Sequence, residues 1–270
     1  MKEDNFLLNI IIIIIVTILI FLSVIYFLQD DAIFVKQPIS ENRINSLRND
    51  PSIKEINLTT NQEEKINGWF LNQINSSGTI IYFGGNAEEV SWILDRRTEF
   101  EGWNILTFSY RGYGLSEGTP TEKNLKKDSL LIFDYLSELN KNEEIIVKGR
   151  SIGTGIATYL AKEKNISGLI LISPFDNLKS IVKETIPIPK ITKLIKYDFN
   201  LINDSKDVNI PLLAIIADED NVIPNHLSMK FYDSWEGKKE IKVIEGFGHN
   251  DMQFDAEYWE SISSFLESFE

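Results

Sequence analysis

The hydrophobic pattern divides the chain into one long apolar segment near its start and many short apolar segments after it. Residues 6–28 contain no charged side chain and include six consecutive isoleucines at positions 10–15. A helix of this length is about 35 Å long, enough to cross a hydrocarbon core of roughly 30 Å. The sequence therefore predicts one N-terminal transmembrane helix, with residues 1–30 forming a short tail and a membrane anchor.

A cleaved signal peptide is the main alternative for this segment. The apolar region of a signal peptide is normally shorter and is followed by a cleavage site made of small residues. Here the apolar segment runs into Tyr-Phe-Leu-Gln-Asp-Asp at positions 26–31, which contains no such site. We therefore predict a retained, single-pass anchor.

The orientation of this anchor has two opposing indications. Lys36, Arg43 and Arg48 follow the apolar segment, whereas Lys2 precedes it. This excess of basic residues would keep the following domain in the cytoplasm. However, a short N-terminal tail before a long domain is the usual layout of an uncleaved signal anchor, which exports the domain. Of the two, we favour an extracytoplasmic domain.

After the anchor, the polar residues 31–52 are predicted to form a connector, and residues 53–270 one α/β domain. Within that domain, short apolar segments alternate with segments of helical period. Strands are predicted at residues 53–59, 65–72, 79–83, 104–110, 145–147, 168–173, 211–217 and 240–245, and helices at about 121–139 and 256–269. This alternation indicates a mostly parallel central sheet with helices on both faces.

The most informative motif is Gly-x-Ser-x-Gly at positions 149–153, between an apolar strand and a helix pattern rich in small residues. A serine on a sharp strand-to-helix turn needs glycine two residues away on either side, because a β-carbon there would collide with the crowded turn. The helix that follows directs its N–H groups and positive dipole end toward negative charge that develops nearby. We therefore predict that Ser151 is a nucleophile.

A serine nucleophile needs a base to take its proton and an acid to orient that base. The chain has only two histidines. His249, which follows the last predicted strand, is the expected base, and His226, at a predicted helix start, is the alternative. Asp220, which follows the strand at 211–217, is the expected acid, with Asp218 as the alternative; Asp251 lies too close to His249 in sequence to be the first choice. The groups follow the carboxyl ends of strands, where open α/β sheets bind ligands.

Composition and charge exclude several other classes of function. The formal net charge of −13 argues against a nucleic-acid partner, because phosphate backbones are bound by clustered lysine and arginine. The absence of cysteine removes disulfides, thiolate catalysis and cysteine metal sites. The predicted serine chemistry implies no metal and no organic cofactor.

With these residues placed, the chain resembles the α/β-hydrolases, and more narrowly the membrane-anchored abhydrolase-domain proteins, also labelled serine-aminopeptidase-like hydrolases. The similarity covers about residues 53–270. Its motifs are Tyr-Phe-Gly-Gly-Asn-Ala at 82–87, Ser-Tyr-Arg-Gly-Tyr-Gly at 109–114 followed by Ser-Glu-Gly-x-Pro at 116–120, the serine motif at 149–153 and Gly-His-Asn-Asp at 248–251.

The resemblance implies an α/β-hydrolase fold with a small cap insertion, preceded by the transmembrane helix. It also implies Ser151 as nucleophile, Asp220 as acid and His249 as base, with Asn86 and Ile152 as the donors of an oxyanion hole. The backbone N–H after a nucleophile and a second N–H from the loop after the third strand are the donors this architecture uses. Two positions depart from the family pattern, which usually has histidine in place of the glycine at 84 and aspartate in place of the serine at 109.

A long insertion, about residues 176–208, lies where caps over the active site commonly occur in α/β-hydrolases. Its residues 177–197 hold five lysines against one glutamate, a local balance of +4, interleaved with isoleucine, leucine and valine. Pro187 and Pro189 would break any single helix there. The pattern fits either a solvated lysine face over an apolar underside, or a cap that rests on anionic lipid headgroups and admits an acyl chain from the bilayer.

The leading hypothesis is a serine hydrolase that cleaves carboxylic esters or thioesters, with lipid or acylated substrates, through an acyl-enzyme. A peptidase is the alternative within enzymes, because amide and ester cleavage use the same residues. A membrane-tethered binding module that lacks turnover is the alternative from another class, since a fold alone does not establish catalysis.

Overall fold

The computed structural model describes residues 2–139, 143–186 and 188–270. The helices are α1 (Lys2–Ile33), α2 (Glu41–Asn49), α3 (Glu122–Leu139), α4 (Ile152–Glu163), α5 (Leu178–Thr185), α6 (Leu201–Asp204), α7 (Asn225–Ser234) and α8 (Ala256–Glu267). Shorter 3-10 helices span Val90–Phe100, Ile191–Leu194 and Met252–Phe254. The strands are β1 (Ile53–Thr59), β2 (Lys65–Leu71), β3 (Gly78–Phe83), β4 (Trp103–Phe108), β5 (Glu144–Arg150), β6 (Gly168–Ile172), β7 (Leu212–Ala217) and β8 (Lys239–Ile244). Every predicted strand is present, and most bounds agree within two residues.

The eight strands form one sheet in the order β1-β2-β4-β3-β5-β6-β7-β8. Strand β2 is antiparallel to both β1 and β4, and all other neighbours are parallel. The mostly parallel sheet predicted from the alternating pattern is therefore confirmed. Because β3, β5, β6, β7 and β8 are parallel, the loops that follow them meet at one edge of the sheet.

Two hydrophobic clusters cover the two faces of the sheet, as alternate side chains of a strand point to opposite faces. Leu171 on β6 belongs to the cluster that contains Leu160 of α4. Its neighbour Ile170 belongs to the other cluster, which contains Ile262 of α8. Both faces are thus buried, which explains why the central strands read as continuous apolar runs.

Helix α1 is long and apolar enough over Leu8–Ile33 to cross a membrane, by length and composition. The segment predicted as a connector then contains α2, which Ser40 caps by accepting the N–H of Arg43 at 3.2 Å. Ile44 and Leu47 of this helix are buried against the sheet. The connector is therefore packed onto the domain over part of its length.

The last turn of α1 contacts the cap insertion. The side chain of Gln29 donates to the carbonyl of Leu194 at 3.2 Å and accepts the N–H of Lys196 at 2.8 Å. Asp30 accepts from the ammonium of Lys196 and from the hydroxyl of Tyr197, each at 2.8 Å. Helix α1 and the insertion predicted as a cap thus contact each other.

The cap itself is short and irregular. Helix α5 ends at Thr185 and a 3-10 turn begins at Ile191, so the helix breaks where the sequence predicts a break. Pro187, one of the two residues behind that prediction, lies outside the described residues. Lys179 forms an ion pair with Asp198 at 3.2 Å.

Candidate active site

The predicted nucleophile lies on a sharp turn between β5 and α4. Ser151 has φ 52° and ψ −121°, a backbone conformation that costs free energy for any residue with a β-carbon. An ideal β-carbon on Gly149 would lie 2.6 Å from the carbonyl oxygen of Gly153, and one on Gly153 would lie 2.3 Å from that of Phe83. Both glycines are therefore required by close backbone approach, as expected for a nucleophile elbow.

The structure brings Asp220 and His249 into direct contact. Nδ1 of His249 lies 2.7 Å from Oδ2 of Asp220, and the two side chains are only 7% and 1% exposed. The same carboxylate accepts the N–H groups of Val222 and Ile223 at 2.9 and 2.8 Å. Burial raises the pKa of Asp220. The hydrogen bond from His249, the charge of His249 and the hydrogen bonds from the two N–H groups lower it by more, so the pKa lies below its usual value.

The hydroxyl of Ser151 has no hydrogen-bond partner among the described residues. Nε2 of His249 is likewise unpartnered within that part of the chain. Catalytic hydrogen bonds are often long or unformed without substrate, so this arrangement is compatible with a serine–histidine pair. A hydroxyl without a hydrogen-bond partner, a histidine with one free nitrogen and a carboxylate on the other nitrogen can together perform acyl transfer.

The alternative site residues lie elsewhere. Asp218 accepts the N–H of Gly246 at 2.7 Å, and Asp251 accepts the N–H of Gly248 at 2.6 Å, so both stabilise loops. His226 is exposed at the start of α7, with Nε2 3.7 Å from a carboxylate oxygen of Glu184 on α5. Asp220 is thus the acid that contacts His249.

The expected oxyanion donors are both free backbone N–H groups. Ile152 is the first residue of α4, where an N–H has no partner within its own helix. Across the described residues, neither its N–H nor that of Asn86 has an acceptor. The side chain of Asn86 is engaged instead, since its Oδ1 accepts the N–H of Val35 at 2.8 Å and of Ala87 at 2.9 Å.

Glu88 and Arg150, two residues that the sequence did not single out, form a largely buried ion pair between the loops of the site. Nη1 of Arg150 lies 3.0 Å from Oε2 of Glu88. Burial raises the pKa of Glu88, but the charge of Arg150 and hydrogen bonds from Tyr82, Trp92 and Gly85 outweigh it and hold the pKa below its usual value.

Ser173 is a third residue that sequence reasoning missed. It follows β6 with φ 48°, and its hydroxyl donates to Oδ2 of Asp220 at 2.9 Å. Its position at the carboxyl end of a strand is the signal that could have identified it.

The two departures from the family pattern lie in closely packed surroundings. An ideal β-carbon at Gly84 would lie 2.6 Å from Cγ1 of Val90, so a larger residue there would need Val90 to move. Ser109 lies against the turn at Gly114, where an ideal β-carbon would lie 2.6 Å from the Ser109 hydroxyl. The site around these positions is therefore packed for small residues.

No group of three or more histidine, cysteine, aspartate or glutamate side chains is placed to hold a metal ion in residues 2–139, 143–186 and 188–270.

Comparison with known proteins places the chain among proteins of the α/β-hydrolase fold. Residues 78–192 match the family described as "alpha/beta hydrolase fold". The chain is similar to an uncharacterized membrane protein of Saccharomyces cerevisiae, with 27% identity over 79% of each chain. It is also similar to the lysophosphatidylserine lipase ABHD12 of Mus musculus, with 31% identity over 64% of this chain and 49% of the mouse protein. The chain thus spans about half the length of that lipase.

Solved structures share the fold. An esterase of Pyrococcus furiosus superposes with a TM-score of 0.69 and 22% identity, over 86% of this chain and 96% of the esterase. An alpha-beta hydrolase of Vibrio vulnificus gives a TM-score of 0.68 and 20% identity, over 87% and 89% of the two chains.

Proposed function

Because the chain belongs to the α/β-hydrolase superfamily, we propose that it is a membrane-anchored serine hydrolase that cleaves carboxylic esters or thioesters of lipids or other acylated compounds. The observation that carries the proposal is the 2.7 Å contact between His249 and Asp220, in a chain that also holds a serine on a strained elbow. Nucleophile, base and orienting acid are the set that acyl transfer requires.

The proposed reaction proceeds in two steps. Ser151 attacks the acyl carbon while Nε2 of His249 takes its proton, and His249 then gives that proton to the departing alcohol or thiol. Asp220 holds the imidazole in the required tautomer and stabilises its charged form. A water molecule, deprotonated by His249, then attacks the acyl-enzyme; the acid leaves and the proton returns to Ser151.

The negative charge that develops on the acyl oxygen needs donors that are already in place. We assign this role to the backbone N–H groups of Asn86 and Ile152, which have no acceptor among the described residues. Removal of one such donor typically costs about 10²- to 10³-fold in kcat.

Lipid substrates are favoured by three features. The mouse relative is named a lysophosphatidylserine lipase, α1 is apolar enough to span a membrane, and the cap that contacts α1 is basic. Lys183, Lys190 and Lys193 form no ion pair with any described residue. We therefore propose that the cap rests on anionic headgroups and admits an acyl chain.

The proposal places the hydrolase domain on the extracytoplasmic side. Because the chain has no cysteine, a single Ile74→Cys substitution at a side chain that is 89% exposed gives a clean reporter. A membrane-impermeant maleimide should label this variant in intact cells. Labelling only after permeabilisation would place the domain in the cytoplasm.

The full-length protein in detergent, treated with a fluorophosphonate probe, tests the enzyme proposal. Wild type and the control Ser263→Ala, at an exposed serine of α8, should be labelled and should hydrolyse p-nitrophenyl esters. Ser151→Ala and His249→Ala should do neither at a comparable rate. Hydrolysis of amides in preference to esters would favour a peptidase, and a folded wild type without labelling or turnover would favour a binding module.

A further inference from the structure

Arg150, the residue before the proposed nucleophile, connects three segments of the site with one guanidinium group. Nη1 contacts Oε2 of Glu88 at 3.0 Å. Nη2 donates to the backbone carbonyl of His249 at 2.9 Å and to Oδ1 of Asn250 at 3.0 Å. The arginine side chain is only 14% exposed and that of Glu88 is 8% exposed, so water does not compete strongly for these contacts.

Glu88 extends the connection into the proposed oxyanion loop. Its Oε2 accepts the N–H of Gly85 at 2.7 Å, one residue before Asn86. Its Oε1 accepts from the indole of Trp92 at 2.6 Å and from the hydroxyl of Tyr82. The carboxylate is thus held by its own loop as well as by the guanidinium.

The loop and the guanidinium approach each other closely. An ideal β-carbon on Gly85 would lie 3.2 Å from Nη1 of Arg150 and 3.5 Å from Cβ of Ser151. The absence of a side chain at Gly85 therefore lets the oxyanion loop lie against both the arginine and the nucleophile.

We propose that Arg150 is a positioning residue: through Glu88 and the His249 carbonyl, it fixes the distance between the oxyanion loop and the histidine loop across Ser151. This inference rests on the proposed hydrolase function, and it adds a residue that holds the oxyanion loop and His249 in place relative to Ser151. Arg150 itself touches no substrate in this scheme.

Two physical arguments favour positioning over stability as the role of this pair. A buried ion pair adds little net stability compared with apolar residues of similar size. Arginine also presents several donors in a planar fork, so one side chain can contact two loops at fixed angles, which a lysine ammonium on a flexible stem does not. Misplacement of reacting groups by about 1 Å can cost about 100-fold in rate.

The test uses the full-length enzyme and three variants. Arg150→Lys keeps the charge but loses the fork. The double variant Glu88→Gln/Arg150→Gln removes both charges of the pair together, so neither partner is left unpaired and the test stays valid if Arg150→Lys folds poorly. Arg111→Lys is the matched control, because the Arg111 side chain is fully buried, pairs with Asp128 at 2.7 Å and with Glu64, and has no hydrogen bond or ion pair with Ser151 or His249.

For each protein, kcat and KM are measured with a p-nitrophenyl ester. The number of active sites is taken from complete labelling with a fluorophosphonate, and kcat is expressed per labelled site. We expect both Arg150 variants to lose about 10- to 100-fold in kcat, with KM changed less than about twofold, since the arginine makes no contact with substrate in this scheme. Labelling should be slower but should reach the same final stoichiometry. The control should keep kcat per labelled site, whatever its effect on the amount of folded protein.

A merely structural role would lower the labelled fraction and leave kcat per labelled site unchanged, and that result in both Arg150 variants overturns the inference. If the wild type and the Arg150 variants are equally active, the positioning role is wrong and the proposed hydrolase function is unaffected. A folded wild type that neither labels nor turns over overturns the proposed function, and the positioning role with it.

Discussion

Gly153 lies against Phe83 so closely that an ideal β-carbon on the glycine would stand 2.3 Å from the carbonyl oxygen of the phenylalanine. This contact brings the first turn of α4 to the end of β3. Those two places carry Ile152 and the loop of Asn86, the proposed oxyanion donors. The second glycine of the serine motif therefore brings together the two sides of the proposed oxyanion hole, in addition to allowing the turn.

Substitution of Gly153 by alanine should destabilise the protein. The obstructing atom belongs to the backbone and cannot rotate away, so we expect a loss of about 1–3 kcal/mol or more in the free energy of unfolding. Gly248→Ala is the matched control, because its nearest atoms would lie at ordinary contact distances of 3.5 and 3.6 Å. Chemical denaturation of both variants measures the difference, and equal stability would contradict the contact.

Replacement of Asp220 by asparagine should impair turnover far more than the same change at Asp218. An amide at residue 220 favours the wrong tautomer of His249, and losses of about 10³- to 10⁴-fold in kcat are expected for an orienting acid. Asp218 stabilises the turn at Gly246, so Asp218→Asn should keep kcat within about threefold. Steady-state ester hydrolysis decides the assignment, and a larger loss at residue 218 would reverse it.

Lys148 should make stability depend on pH. Burial lowers its pKa to about 7 from 10.5; the charge of Glu88 opposes this shift and that of Arg150 adds to it. Between those values the unfolded chain binds more protons than the folded chain, so this group makes stability rise with pH from about 7 toward 10. Lys148→Met should therefore be more stable than wild type at pH 6, by a margin that shrinks by pH 9.

Thermal unfolding midpoints at the two pH values test this prediction. Lys123→Met, at an exposed lysine of α3, serves as control and should track wild type at both. A constant margin between wild type and Lys148→Met would mean that the buried lysine does not titrate in this range.

The cap lysines should make activity sensitive to membrane charge. Each lysine near an anionic surface contributes about 1 kcal/mol at low salt. The full-length enzyme in nanodiscs should therefore hydrolyse a membrane-embedded ester with a KM that is about tenfold or more lower in anionic than in zwitterionic lipid. This difference in KM should decrease as salt is added.

Variant Lys183→Gln/Lys190→Gln/Lys193→Gln should lose this preference. The control Lys238→Gln should keep the preference for anionic lipid. Lys238 is exposed and lies beside the start of β8, at the opposite end of the sheet from the proposed site. Lys196 is left unchanged in this design because it pairs with Asp30 of α1. A triple variant with an undiminished preference would contradict the lipid-binding role of the cap.

The sequence was most informative where the physical constraint is local. The turn at Ser151 depends on glycines two residues away, and the α/β-hydrolase fold predicted around it is confirmed. The relative named a lipase likewise supports the predicted hydrolase class. His249 could be selected because the chain has one other histidine.

The rest depends on contacts between residues that are distant in sequence. Arg150 and Glu88 are separated by 62 positions, and neither lies in a local sequence pattern that indicates an ion pair between them. Ser173 reaches Asp220 only because β6 and β7 are adjacent in the sheet. Helix α2 was not predicted, because it lies in a polar segment and only two of its side chains, Ile44 and Leu47, are buried.

The hydrogen bond from the N–H of Val35 to Oδ1 of Asn86 limits the reach of the proposed enzyme. From Leu28, the end of the uncharged segment, five helical residues and two extended ones lead to Val35, a path of about 15 Å. With α1 anchored as proposed, the nucleophile cannot rise far from the bilayer that holds it while this bond persists. Such a tether would confine hydrolysis to molecules in or on the same leaflet, and a facing membrane or a substrate bound to a distant carrier would lie out of range.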